Sequence, residues 1–219
     1  MQLIKRWLKR GIILPAAAVY VLSVPIGAQA ALVTYSFTGN LNPDLDPLGI
    51  VPVSGSFQFN NATAGSSGAY NGAVTGFTLN LGGFYTSSFT AGANAVTLSQ
   101  NIPLLGGGMG DRWALVSAAT GPDLDGFRPF SFDLRLDVQG GGLGTHLQDP
   151  PSLGSLNGGS ARWRLFFEDA DGNPAAYLGS ITSLTAVPLP AAVLLFGAGL
   201  ISLVGLGAGG LRNLRGTQS

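Results

Sequence analysis

Hydrophobic and polar residues alternate along most of the chain between residues 31 and 186. The alternation is clearest over residues 130–138, where Ser131, Asp133, Arg135 and Asp137 separate apolar side chains at Phe130, Phe132, Leu134, Leu136 and Val138. A period of two puts every second side chain on one face of a β-strand. It predicts strands with one dry face, and further segments of this kind are 33–38, 53–60, 77–81, 84–89, 96–98, 113–116, 162–168 and 178–184.

Turn chemistry agrees with a sheet protein. Asn71-Gly72, Asp125-Gly126 and Asp171-Gly172 are dipeptides that favour tight hairpin turns. No segment of useful length between residues 31 and 186 has the period of a helix. About nine short strands joined in this way predict an all-β domain, an antiparallel β-sandwich or jelly roll. We interpret the long glycine-rich stretch 139–160 as a mobile loop.

The first thirty residues have the three parts of a secretory signal peptide. A basic head containing Lys5 and Arg10 precedes an apolar stretch over 11–24, and Ala28-Gln29-Ala30 provides a small-residue cleavage site. We predict that the secretion machinery recognises residues 1–30 and that signal peptidase removes them. The mature chain would then start at Ala31. A retained membrane anchor is the alternative.

The C-terminus carries a second apolar stretch. Ser202 is the only conventional polar side chain in residues 191–211, and Arg212 and Arg215 follow directly. A helix of this length reaches about 30 Å, the thickness of a bilayer core, so the stretch predicts one transmembrane helix with its basic end in the cytoplasm. Pro188 and Pro190 disfavour helix before them and predict an extended approach, the conformation that a protease cleft accepts.

The order of these parts resembles a known sorting signal. A short proline motif, an apolar segment and a basic tail at the extreme C-terminus resemble the PEP-CTERM signal in its VPLPA variant; the motif is Val187, Pro188, Leu189, Pro190 and Ala191, and the tail is Arg212 and Arg215. The resemblance implies processing by an exosortase, a membrane transpeptidase-like enzyme. It also implies a transient inner-membrane anchor, a final place on the cell surface or outside the cell, and a matrix of extracellular polysaccharide as a partner. The chain then divides into a signal peptide (1–30), an ectodomain (31–186) and a sorting signal (187–215).

Charge and cysteine content exclude several classes of function. The formal net charge is zero, but all eleven acidic residues lie between residues 31 and 187 against five arginines, so this part carries a net charge of −6. An acidic region without lysine argues against a nucleic-acid partner. Cysteine is absent, which excludes disulfides and thiolate metal sites. No cofactor is predicted.

Candidate catalytic groups are few. His146 is the only histidine, and it lies in the glycine-rich stretch without the Gly-x-Ser-x-Gly motif that would support a serine triad. Asp133 and Asp137 share one face of a predicted strand with Arg135 between them. Paired carboxylates can serve a glycosidase, but this pattern favours a solvated, salt-bridged face.

Two kinds of binding site stay open as alternatives. Asp169, Asp171 and Asn173 gather oxygen atoms that a calcium ion could use, with Asp123, Asp125, Asp44 and Asp46 as further donors; ordinary turns favour the same residues. Trp113, Trp163, Tyr70 and Tyr85 could stack on sugar rings, although the tryptophans fall at core positions of the alternation.

The sequence therefore predicts an exported, non-enzymatic cell-surface or matrix protein that an exosortase-like enzyme sorts and processes. The alternatives are an extracellular carbohydrate- or calcium-binding module and a secreted hydrolase.

Overall fold

A computed structural model of the 219-residue chain describes residues 32–42, 51–144 and 149–188. These residues form nine strands and one short 3-10 segment, Leu153–Ser155. The strands are β1 (Leu32–Leu41), β2 (Pro52–Asn60), β3 (Ala69–Asn71), β4 (Val74–Leu81), β5 (Tyr85–Pro103), β6 (Met109–Thr120), β7 (Arg128–Gln139), β8 (Ala161–Glu168) and β9 (Pro174–Val187).

The strands close into a ring. They are hydrogen-bonded in the order β3-β5-β4-β2-β1-β9-β8-β7-β6, and β5 also pairs with β6. Eight strands therefore form a closed antiparallel barrel, and β3 pairs with β5 without being one of these eight. The described residues are all-β, as the alternation predicts, but the predicted sandwich or jelly roll is wrong.

The reason for the closure lies in β5. The stretches 84–89 and 96–98 predict two strands, whereas the structure has one strand of 19 residues. Its register shifts between Phe89 and Asn94, so the first part pairs with β4 and most of the rest pairs with β6. A barrel and a sandwich have the same one-sided alternation, and periodicity alone could not separate them.

Aromatic side chains fill the barrel. Phe77 and Phe132 stack with their ring centroids 4.5 Å apart, and the ring of Phe59 lies edge-on to Trp113 at 5.8 Å. Trp113 and Trp163 are completely buried, which confirms their predicted place in the core. An interior of eight strands is just wide enough for side chains to fill it.

One predicted core position is wrong. Phe130 belongs to the alternating run 130–138, yet 41% of it is exposed. The register between β7 and β8 shifts between Pro129 and Ser131, and such an irregularity changes the side to which the following side chain points. Phe130 is therefore an outer-surface residue.

The described part of the stretch 139–160 packs on one end of the barrel, which corrects its interpretation as a mobile loop. Leu143 and Leu156 are buried in the core cluster. The carboxylate of Asp111 on β6 accepts hydrogen bonds from the backbone N–H groups of Gly142 at 2.8 Å and Leu143 at 2.9 Å. Glycine permits the positive φ values at residues 140–142 that bring these N–H groups to one carboxylate.

The predicted transmembrane helix falls on residues that the structure does not describe. In the part of the chain that the structure describes, no helix has the length and apolar character needed to cross a membrane, and the only helical segment is three residues long. Residues 191–211, on which that prediction rested, lie outside the described residues.

Candidate functional site

Six charged side chains lie together on the outer surface of the barrel. Successive residues of a strand point to opposite sides, and most inward positions of β6, β7 and β8 are apolar. The outward positions hold what we call the arginine face, made of Arg112, Asp133, Arg135, Asp137, Arg162 and Arg164. Strand register brings them together, because Arg112 pairs with Asp137, Arg135 with Arg162, and Asp133 with Arg164.

Asp137 is the centre of one half of this face. Its carboxylate accepts a hydrogen bond from Nε of Arg112 at 2.6 Å and a second from Nη2 at 3.1 Å. Ser160 Oγ and Arg162 Nη2 lie 3.2 and 3.3 Å from Oδ2 of the same group. Burial alone would oppose ionisation, but these donors outweigh it and hold the pKa of Asp137 below its usual range.

Asp133 is the centre of the other half. Arg164 donates to it through both Nε and Nη2, and Arg135 donates one hydrogen bond from Nη2 at 3.0 Å. Burial lowers the pKa of Arg135, and the nearby positive charges of Arg164 and Arg112 lower it further, although Asp133 opposes them. Like charges are thus crowded on this surface.

The two signs of charge differ in exposure. The side chains of the two aspartates are 5% exposed or less, whereas those of the four arginines are between 19% and 33% exposed. The carboxylates lie beneath the guanidinium groups, so the surface offered to solvent is cationic. The sequence predicted salt bridges here and was right, but the predicted solvated face is wrong for the carboxylates.

Aromatic rings border the arginine face. The guanidinium carbon of Arg164 lies 4.9 Å from the ring centroid of Phe166, a cation–π geometry. Phe130 lies next to it, with its ring centroid 6.2 Å from that of Phe166. Val116 on β6 is also exposed. Exposed apolar side chains therefore lie along one side of the arginine face.

The start of the predicted sorting motif lies at an end of the last strand. Val187 is the final residue of β9 and is 45% exposed; Pro188 is exposed too. The last buried residue of β9 is Ile181. Leu189, Pro190, Ala191, Arg212 and Arg215 lie outside the described residues, as do Ala28 and Ala30 at the predicted signal cleavage site.

Hydroxyl side chains cover another part of the outer surface. The outward residues Ser36, Ser56, Thr78 and Ser88 are register partners on four successive strands, β1, β2, β4 and β5. They line a groove of about 750 Å³. Short polar side chains leave this groove shallow and uncharged.

The other candidate residues take structural positions. Asp169 forms a turn, because its carboxylate accepts hydrogen bonds from the backbone N–H groups of Asp171 at 2.9 Å and Asn173 at 2.8 Å. Across residues 32–42, 51–144 and 149–188, no three His, Cys, Asp or Glu side chains are grouped so that they could hold a metal ion. Tyr70 and Tyr85 are buried, and His146, Asp44 and Asp46 lie outside the described residues.

Comparison with protein-family models, curated proteins and solved structures finds no match. The resemblance of the C-terminus to a sorting signal therefore stays a prediction. The arginine face is a candidate site that sequence reasoning undervalued. Its signal was present in the spacings Asp-x-Arg-x-Asp at 133–137 and Arg-x-Arg at 162–164, but only strand register shows that the two runs are neighbours.

Proposed function

We propose that this protein is an exported, non-enzymatic cell-surface or extracellular-matrix protein. In this proposal signal peptidase removes residues 1–30, and an exosortase-like membrane transpeptidase processes the chain at Val187–Ala191. The polypeptide between the two sites is a barrel that works by binding rather than by catalysis.

The position of Val187 carries this proposal. The motif begins where β9 ends, six residues beyond Ile181, the last buried residue of that strand. A processing enzyme could therefore reach an extended, exposed backbone without unfolding the core. The first strand begins at Leu32, directly after the predicted mature N-terminus, so removal of both signals leaves every described strand intact.

Cell fractionation tests the proposal. The full chain and a Pro188→Ala, Pro190→Ala variant are produced in a host that has an exosortase, with Pro174→Ala, a change at the exposed first residue of β9, as the control. We expect the wild type and the control outside the cells and the motif variant in the membrane fraction. Equal distribution of all three proteins would contradict the proposal.

A further inference from the structure

The arginine face is costly for the stability of the barrel. Arg135 and Arg162 are direct register partners on neighbouring strands, and like charges directly opposite each other destabilise a sheet. Charge pairs that lose their water contribute little net stability, since desolvation offsets much of their attraction. The fold does not require charged residues on this surface. Outward neighbours on β6 include small uncharged residues such as Ala114 and Ala118. Stability alone therefore does not explain four arginines on three strands.

The face has a net charge of +2, from four arginines and two aspartates. The buried carboxylates fix the guanidinium groups in place, and the guanidinium groups keep donors for an external acceptor. Arg135 donates one hydrogen bond to Asp133. A guanidinium group has five N–H donors, so most of its donors are not used by Asp133. Planar, preoriented donors of this kind suit carboxylate groups.

We propose that the arginine face binds a polysaccharide whose sugars carry carboxylate groups. The cationic surface favours an anionic ligand. Its charged groups recur at regular spacings on neighbouring strands, which favours an extended ligand. Neighbouring strands are about 4.8 Å apart and outward residues of one strand about 6.6 Å apart, so a chain lying across β6, β7 and β8 meets successive arginines. Phe130 and Phe166 offer aromatic faces at the edge of the charges, which suit the apolar faces of sugar rings.

Single-stranded nucleic acid is the other anionic polymer that a basic surface with aromatic rings suits. A uronate polymer and a nucleic acid each carry about one charge per repeating unit, and residues 31–186, with a net charge of −6, repel both at long range. Binding of either polymer therefore depends on the local cationic surface. We favour the carboxylated polysaccharide because a planar carboxylate matches the planar fork of a guanidinium group, and the titration below compares the two ligands directly.

This binding is independent of C-terminal processing. Ser180 pairs with Arg162, and Val187 lies seven residues farther along β9, about 23 Å away at 3.3 Å per residue. The motif and the arginine face therefore do not overlap. Failure of one proposal leaves the other standing.

Calorimetric titration of the purified full-length chain tests the inference. The probes are sodium polygalacturonate, uncharged dextran and oligo(dT), at low ionic strength. We expect polygalacturonate to bind, with an affinity that falls as salt is added, and dextran and oligo(dT) to bind at least tenfold more weakly.

Variants locate the site. Arg135→Gln removes an arginine that makes a single hydrogen bond within the face and should weaken polygalacturonate binding about tenfold. Arg128→Gln changes an exposed arginine outside the face, whose side chain is 66% exposed and pairs with Glu168, and should leave binding unchanged. Phe130→Ser should weaken binding with no loss of folding, since that ring is on the outer surface.

Three results would overturn the inference: no binding of polygalacturonate by the wild type, equal binding by Arg135→Gln and Arg128→Gln, or tighter binding of oligo(dT). Thermal unfolding of each variant accompanies the titrations. The single substitution Arg135→Lys, which keeps the charge but loses the planar donors, separates bidentate recognition from simple attraction, and we expect it to bind more weakly than the wild type.

Discussion

Val187 at the end of β9 pairs with Thr34 near the start of β1. The predicted cleavage motif therefore begins beside the N-terminal strand, and its first residue, Val187, is also the last residue of the β1–β9 pair that helps to close the barrel.

We predict that a mature chain ending at Pro188 keeps the barrel. Its circular dichroism spectrum and the amide-exchange protection of β1 and β9 should match those of the full chain, because the core cluster ends at Ile181 and Leu184. A chain ending at Ser180 is the control; it loses both residues and most of the β1–β9 pairing and should not fold. Loss of protection in the longer chain would show that the motif belongs to the fold.

Asp111 holds the segment around Gly142 and Leu143 against the end of the barrel through hydrogen bonds. Besides Gly142 and Leu143, the backbone N–H of Asn101 donates to its carboxylate at 2.9 Å. Burial opposes ionisation, but the three backbone donors together outweigh it and hold the pKa of Asp111 below its usual range. We expect Asp111→Asn to lower the free energy of unfolding at neutral pH by about 2 kcal/mol.

The pH dependence follows from the direction of that shift. A carboxyl group whose pKa is lower in the folded state stabilises the fold above its unfolded pKa of about 3.9, and this contribution is lost as the pH falls through the folded pKa. The melting temperature of the wild type should therefore fall more steeply below about pH 4 than that of Asp111→Asn. Asp125→Asn, in an exposed turn with φ of 53°, is the control and should follow the wild type. Parallel curves for wild type and Asp111→Asn would contradict this role.

Some of this architecture was accessible from the sequence and some was not. Alternation identifies which side chains of β2 and β8 face inward, because a strand places every second residue on one side. It does not reveal which strands are neighbours, so it could not predict that β5 bends at residues 89–94 and joins β4 to β6. Phe130 was misplaced for a related reason, since a single register shift reverses the side of a residue without changing the sequence pattern.

The arginine face shows the same limit of prediction from sequence, because its residues come from strands whose pairing the sequence does not reveal. The spacing of Asp133 and Asp137 indicates a shared face, but Arg112 and Arg164 come from other strands and join them only through pairing. Burial of the two carboxylates follows from the arginines that cover them. The position of the glycine-rich stretch could not be predicted for a different reason. The carboxylate that holds Gly142 and Leu143 belongs to Asp111, about thirty residues earlier in the chain.

Gly179 makes room for Trp163 across the β8–β9 pair. A Cβ atom on Gly179 would lie 2.8 Å from Cζ2 and Nε1 of the indole and would collide with the backbone carbonyl oxygen of Asn40. Gly179→Ala should therefore lower the free energy of unfolding by about 1–3 kcal/mol. Gly76→Ala on β4, where a Cβ atom meets nothing within 4 Å, is the matched control and should change stability little. Urea titrations of both variants measure the difference, and equal midpoints would refute the account of this contact.

Arg112 and Arg128 allow a comparison of two ion pairs. Arg112 pairs with Asp137, whose side chain is 2% exposed, whereas Arg128 and Glu168 are 66% and 34% exposed. Arg112→Ala leaves a buried carboxylate with fewer donors and should cost about 2–3 kcal/mol. Arg128→Ala should cost less than about 1 kcal/mol. Chemical unfolding of the two variants checks the order, and a larger loss for Arg128→Ala would contradict the burial argument.

The measurement that tests the proposed function most directly is the mass of the C-terminal peptide of protein recovered from outside the cells. Processing at the motif predicts a chain that ends within Val187–Ala191 and lacks Arg212 and Arg215. Extracellular protein that still ends at Ser219 would contradict processing, and the resemblance to a sorting signal would then have no functional meaning for this chain.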